Sequence, residues 1–200
     1  MRHKFAADAL AKGAVAVVID HEVAGVPAEK ALMVADTFKA MQDLGIAARA
    51  RTAAKIIGVT GSVGKTGTKE MLGRVFSALG YAHYSEKSLN NHWGVPLSLA
   101  RMDAGCDFGV FEMGMNHANE IAPLTQMVKP HIAIITTIAP VHTEHFPDGL
   151  NGIAKAKAEI FSGMDSHGIA ILNRDNPEFD LIVAEAKRQG VTKIFSFGKH

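Results

Sequence analysis

An α/β fold with a mostly parallel, doubly wound sheet is what this sequence predicts, and three observations carry the prediction. Apolar, β-branched runs alternate with amphipathic stretches along most of the 200 residues. Several of those runs are apolar throughout instead of alternating, the mark of strands covered on both faces. One of them, KIIGVT at 55–60, leads directly into the glycine-bearing stretch GSVGKTG and then into an amphipathic helix.

The elements follow in order. The opening MRHKFAADALAKGAVAVVI imitates a secretion signal, but Asp8 and Lys12 interrupt its apolar stretch, so helix, turn and strand is the better reading. Strands are predicted at 14–19 (AVAVVI), 31–35 (ALMVA), 55–60, 81–85 (YAHYS), 108–113 (FGVFEM), 131–138 (HIAIITTI), 168–173 (GIAILN) and 193–197 (KIFSF). A helix over 36–53 is capped by Asp36, and a boundary falls near residue 54, where a fresh strand begins. A second helix, 66–79, carries Leu72, Val75, Phe76 and Leu79 on its apolar face with Lys69, Glu70 and Arg74 elsewhere, and Gly80 closes it as a C-cap. A third is predicted over 150–164.

Composition narrows the possibilities. Hydrophobic residues at 48% and charged residues at 20% describe a globular chain rather than a disordered one. The formal net charge of +1, with no basic run, gives a nucleic-acid partner no electrostatic support. No segment reaches the ~18 continuous apolar residues of a membrane span. The single cysteine, Cys106, excludes an internal disulfide and suits a reducing cytoplasm, the expected location.

The stretch GVTGSVGKTGTKEML (58–72) fails the usual phosphate-loop pattern, because Val59 stands where its first glycine should be. Even so, strand, glycine turn, Lys-Thr and amphipathic helix occur in the right order. Backbone N–H groups of Thr60, Gly61, Ser62, Val63, Gly64, Lys65, Thr66 and Gly67 could then converge on phosphates at a helix N-terminus. Lys65 would supply a point charge and the Thr66 hydroxyl a magnesium ligand. The bland alternative is a strand-to-helix turn that merely needs small residues.

Other candidates have competing readings. Glu112 ends an apolar strand, where open sheets bind ligands; it could hold magnesium or simply reach water. His142 lies in an H-T-E-H loop that lacks the spacing of a helical zinc site, and a solvated loop explains it as well. Asn90 and Asn91 in NNHWGVP could be turn formers. Asn173 and Asp175 are read as caps of the next helix. Lys157 shares a helix face with Ile153, Ile160, Phe161 and Met164, whereas Lys155 faces solvent. A lysine on such a stripe ordinarily snorkels to water.

The loop form T-G-[ST]-x-G-K-T resembles that of the Mur ligases, which join amino acids or dipeptides to peptidoglycan precursors. Residues 90–102, 108–130, 142–161 and 168–179 are similar to the branch that adds D-alanyl-D-alanine to UDP-N-acetylmuramoyl-tripeptide. The resemblance implies ATP and two Mg2+ ions as cofactors, Glu112 at the metal-binding strand end and His142 near the second magnesium. It also implies a lysine at 157 that is N6-carbamoylated by carbon dioxide, with Asn90 and Asn91 facing nucleotide and acceptor. Catalysis would rest on Lys65, His142 and Lys157, and metal binding on Thr66, Glu112, His142 and Lys157.

Residues 1–54 would be the end of the N-terminal domain that binds the UDP substrate, and 55–200 the first part of the central ATP-binding domain. Such enzymes have a third domain and are much longer, so this chain alone is expected to be inactive. The protein is expected to be a monomer, inserted in no membrane. Two alternatives stay open: another amide ligase of the Mur or folyl-glutamate type, and a non-catalytic ATP-binding module.

Overall fold

A computed structural model describes residues 2–85, 88–141 and 143–199 of the chain. Its centre is a six-stranded sheet in the order β4-β5-β3-β6-β7-β8, with every pairing parallel. The strands are β3 (Lys55–Thr60), β4 (Ala82–Tyr84), β5 (Phe108–Glu112), β6 (Ile132–Ile135), β7 (Ile169–Asn173) and β8 (Lys193–Phe197). Parallel neighbours need a crossover, and helices supply it: α3 (Lys65–Ser77), α4 (Gly94–Arg101), α5 (Ile121–Val128), α6 (Gly149–Ala158) and α7 (Phe179–Arg188).

β3 is buried from Ile56 to Thr60, as an all-apolar central strand should be. Ile56, Phe111, Leu99, Ile121, Ile153 and Ile182 belong to one core that joins a sheet face to α4 through α7. Ile57, Val59, Val110 and Ile134 form a smaller core on the other face, against Leu72 and Phe76 of α3. Strand order reverses beside β3, so its carboxyl end opens on a crevice.

Before the large sheet lie α1 (Ala6–Ala11), a two-stranded parallel sheet of β1 (Val17–Ile19) and β2 (Ala31–Met33), and α2 (Thr37–Ala50). Asp36 caps α2 as predicted, accepting from the N–H groups of Phe38 at 2.7 Å and Lys39 at 3.2 Å. At the other end of α2, Arg49 donates to Val128 O at 2.7 Å and Lys129 O at 3.0 Å, satisfying carbonyls left over at the end of α5. No described helix is long and apolar enough to cross a membrane.

Several elements differ from the sequence reading. β1 and β2 keep only three residues each of the predicted runs. β6 stops at Ile135 instead of 138, because the residues after it bond to the loop following β3. Val75 on α3 and Leu79 just beyond its end are exposed, and Lys69, predicted to point away from the core, is fully buried. The inward face is Lys69, Leu72 and Phe76, with Lys69 Nζ satisfied by Ser85 O at 2.5 Å and Glu70 at 2.8 Å.

Gly80 does not take a left-handed C-cap conformation. Its lack of a side chain instead admits Asp107, whose carboxylate would lie 2.6 Å from an added Cβ and accepts from Tyr81 N at 2.8 Å. The helix predicted over 150–164 changes to 3-10 at Glu159–Gly163, where Thr125 of α5 donates its hydroxyl to Ile160 O at 2.7 Å. β8 is an edge strand with Phe195 and Phe197 exposed.

Candidate phosphate and metal site

The turn from β3 into α3 is held from below by the chain that follows β6. Ser62 N–H donates to Thr137 O at 2.7 Å, and the Ser62 hydroxyl bridges to the backbone of Ala139, at 3.0 Å in each direction. Thr136 donates its hydroxyl to Val63 O at 2.6 Å and lies 3.2 Å from Thr60 O. Gly61, with φ 148°, is required there, since a Cβ would fall 1.9 Å from the Thr136 hydroxyl. Gly64, with φ 86°, makes the left-handed step into α3.

Among the described residues, nothing accepts from the N–H groups of Val63, Gly64, Lys65, Thr66 or Gly67. A row of free donors at a helix N-terminus is an anion cradle. Ser62 has a different part, since its N–H and hydroxyl are both spent on bracing the turn. Thr60 is fully buried and its hydroxyl has no partner.

Lys65 folds back over the cradle, donating to Gly61 O at 2.8 Å and Ser62 O at 3.3 Å. Burial pushes its pKa down and the Glu112 carboxylate pushes it back up. Glu112, at the end of β5, is 1% exposed. Its two oxygens accept from the Thr66 hydroxyl at 3.0 Å and from Asn90 Nδ2 at 2.7 Å. Both donors are neutral, and no described cation lies within ion-pair distance of this carboxylate. A buried carboxylate whose hydrogen bonds come only from a hydroxyl and an amide, with Lys65 acting on it from beyond ion-pair distance, fits a hard divalent cation, which favours oxygen ligands.

Asn90 thus comes together with Thr66 and Glu112. Asn91 is oriented differently: its side-chain oxygen accepts from Trp93 N at 3.1 Å and Gly94 N at 2.9 Å and so starts α4. Both asparagines line a cavity of about 290 Å³ together with Lys65, Gly114, Asn116 and Glu120. Asn173 accepts from Asp175 N at 3.0 Å within the turn, and neither residue caps α7.

Lys157 sits in the last turn of α6, 2% exposed. Among the described residues its ammonium has no hydrogen-bond or ion-pair partner. Its pKa is lowered to about 7, first by burial and then by the positive charge of Lys65. Lys155 faces solvent, as predicted. His142 lies outside the described residues. Beside it, Glu144 and His145 form an exposed turn, and the His145 ring meets that of His117 at a tilt of 34° with centroids 4.2 Å apart.

Two residues escaped the sequence reading. Thr136 braces the loop, but only the adjacency of β6 to β3 reveals it. Glu159 accepts from the N–H groups of Asn119, Ile121 and Ala122 at 2.6, 3.1 and 3.1 Å and so caps α5 from a distance. The signal available was negative: α5 starts without a local cap.

Residues 59–200 match the model of the Mur ligase middle domain. The chain belongs to the Mur ligase family. It is 38% identical over 196 residues to the UDP-N-acetylmuramoyl-tripeptide–D-alanyl-D-alanine ligase of Rickettsia prowazekii, covering 98% of this chain and 43% of that protein. A crystal structure of MurF from Acinetobacter baumannii superposes with a TM-score of 0.86 at 36% identity, over 98% of this chain and 42% of that one. MurF ligase from Thermotoga maritima in complex with ADP gives 0.81 at 26% identity, over 99% and 44%. This Mur ligase chain therefore spans about two fifths of the length of the relatives it matches.

Proposed function

We propose that this chain is part of an enzyme that uses ATP to join D-alanyl-D-alanine to UDP-N-acetylmuramoyl-tripeptide, a step of peptidoglycan precursor synthesis. The observation that carries the reading is the cradle at 63–67 with Lys65 over it and the Thr66–Glu112–Asn90 group beside it. Residues 1–54 would belong to the domain that binds the UDP substrate and 55–200 to the ATP-binding domain. The protein would be a cytoplasmic monomer, and its net charge of +1 supports the absence of a nucleic-acid partner.

Phosphoryl transfer asks mainly for positioning and charge neutralisation. The free N–H groups of 63–67 would orient the ATP phosphates, and Lys65 would leave its two carbonyls to follow charge onto the terminal phosphate. Thr66 and Glu112 would hold magnesium, with His142 and Lys157 at a second ion; magnesium bound there would neutralise phosphate charge. The tripeptide's terminal carboxylate would attack the γ-phosphorus, displace ADP and become an acyl phosphate. The dipeptide amine would then attack the acyl carbon, expel phosphate and form the amide.

Lys157 would act as a carbamate. Its neutral amine attacks the carbon of carbon dioxide, forms an N–C bond and loses a proton, so a cation becomes an anion suited to magnesium. An ordinary lysine is neutral in only about one molecule in two thousand at pH 7. A pKa lowered to about 7 makes roughly half of the lysines reactive.

The test is phosphate release by the full-length protein. Release should require both UDP-N-acetylmuramoyl-tripeptide and D-alanyl-D-alanine. Equal release with a single L-amino acid, or with a folate and glutamate, would replace the proposal by another ligase of the same superfamily. The 200-residue chain should show no turnover.

A further inference from the structure

At the other end of the molecule, three ligand-bearing side chains converge on one point. His3 belongs to the 3-10 turn Arg2–Phe5, and Asp20 and His21 directly follow β1. His3 Nδ1, an Asp20 carboxylate oxygen and His21 Nδ1 all lie within 4.8 Å of one another. None of these residues contributes to the phosphate cradle or to the Glu112 group.

We infer that His3, Asp20 and His21 form a binding site for a borderline divalent transition metal of the zinc type, separate from the nucleotide site. The His3 side chain is only 10% exposed, and its Nδ1 is shut off from solvent without a hydrogen-bond partner. An orphaned imidazole nitrogen aimed at a carboxylate is a lone pair, or a proton, with nowhere to go. It stands 3.5 Å from Asp20 Oδ1. Zinc bonds of about 2.0–2.2 Å at a tetrahedral angle put neighbouring ligand atoms about 3.3–3.5 Å apart. That edge already has the right length.

His21 Nδ1 is hydrogen-bonded to the same oxygen at 2.5 Å, and its ring meets that of His3 edge-on with centroids 4.5 Å apart. Metal entry displaces the proton between His21 and Asp20 and opens that contact by about 1 Å to reach the tetrahedral spacing. His21 is 62% exposed, so its ring is free to make the move. Two imidazoles and one carboxylate favour zinc, cobalt or nickel over magnesium, which prefers oxygen.

The site also has a structural use. α1 has no buried residue, so little apolar packing ties the N-terminal turn and helix to β1. A metal shared by His3 and the end of β1 would staple them, as metals do where a core is thin.

Titrating tag-free, chelator-treated 200-residue chain with Co2+ tests the inference. The site predicts one equivalent bound with the intense visible absorption of four-coordinate cobalt, displaced by Zn2+ and indifferent to excess Mg2+. His3→Gln and His21→Ala should each weaken binding at least tenfold, and zinc should slow tryptic cleavage after Lys12. Glu112→Gln should leave the cobalt spectrum as it is. Because His21 is exposed, its replacement leaves folding intact and the test decisive. Absence of the visible bands, affinity unchanged in His21→Ala and Asp20→Asn, or loss of binding in Glu112→Gln would overturn the site.

Discussion

Two of the described lysines are almost wholly buried, and their surroundings differ completely. Lys69 of α3 is 0% exposed, with its ammonium on Ser85 O and Glu70. Lys157 of α6 is 2% exposed and has no such partner among the described residues. A buried charge is costly unless it is paired. Lys69 meets that cost locally and joins α3 to the segment after β4. No described residue meets it at Lys157, whose pKa falls to about 7. Burial alone does not mark a functional lysine; burial without a partner does.

The two largest expected effects fall at Lys157 and Lys65. In the full-length protein, Lys157→Ala should lower ligation by roughly 10²–10³-fold, the scale of removing one preorganised charge-stabilising group. Small carboxylates such as acetate or propionate should restore part of the activity. Lys65→Ala should cost at least as much while leaving the thermal unfolding midpoint near that of the parent, because its Nζ bonds only to the carbonyls of Gly61 and Ser62 in the adjoining loop and to no core group.

Next comes pH. The folded pKa of Lys157 lies below its unfolded value of 10.5, so the unfolded chain holds more protons between about pH 7 and that value. Stability of the parent should therefore rise with pH across this window, by up to about 1.4 kcal/mol per unit, relative to Lys157→Met. Urea unfolding of both chains at several pH values measures the difference, and parallel profiles would contradict a neutral Lys157.

Lys69→Met should act on stability instead. Leaving Ser85 O without its donor costs about 1–3 kcal/mol. Nucleotide affinity of the folded fraction should stay within about twofold of the parent, a difference of about 0.4 kcal/mol. The smallest effect belongs to Lys155→Ala, within about 0.5 kcal/mol in unfolding and without consequence for ligation.

What the sequence conveyed depended on whether the signal was local. Asp36 capping α2, the run 55–60 entering the glycine turn, and Lys157 lying inward while Lys155 faces water all follow from spacing within one element. The inward face of α3 did not, because charge at Lys69 outweighed position and a distant carbonyl at Ser85 makes its burial tolerable. The bracing of the loop by Thr136 depends on β6 lying next to β3, which is a matter of strand order. Asn90 and Asn91 look alike in sequence; one meets Glu112 and the other starts α4.

The central proposal is that the cradle and Lys157 serve the transfer of phosphate from ATP to a substrate carboxylate. Full-length enzyme supplied with UDP-N-acetylmuramoyl-tripeptide labelled with 18O in its terminal carboxylate, together with ATP and D-alanyl-D-alanine, tests it most directly. An acyl phosphate hands one labelled oxygen to the phosphate it expels, so mass spectrometry should find 18O in the released inorganic phosphate, in step with amide formation. Label appearing in AMP, or amide forming while the phosphate stays unlabelled, would contradict it.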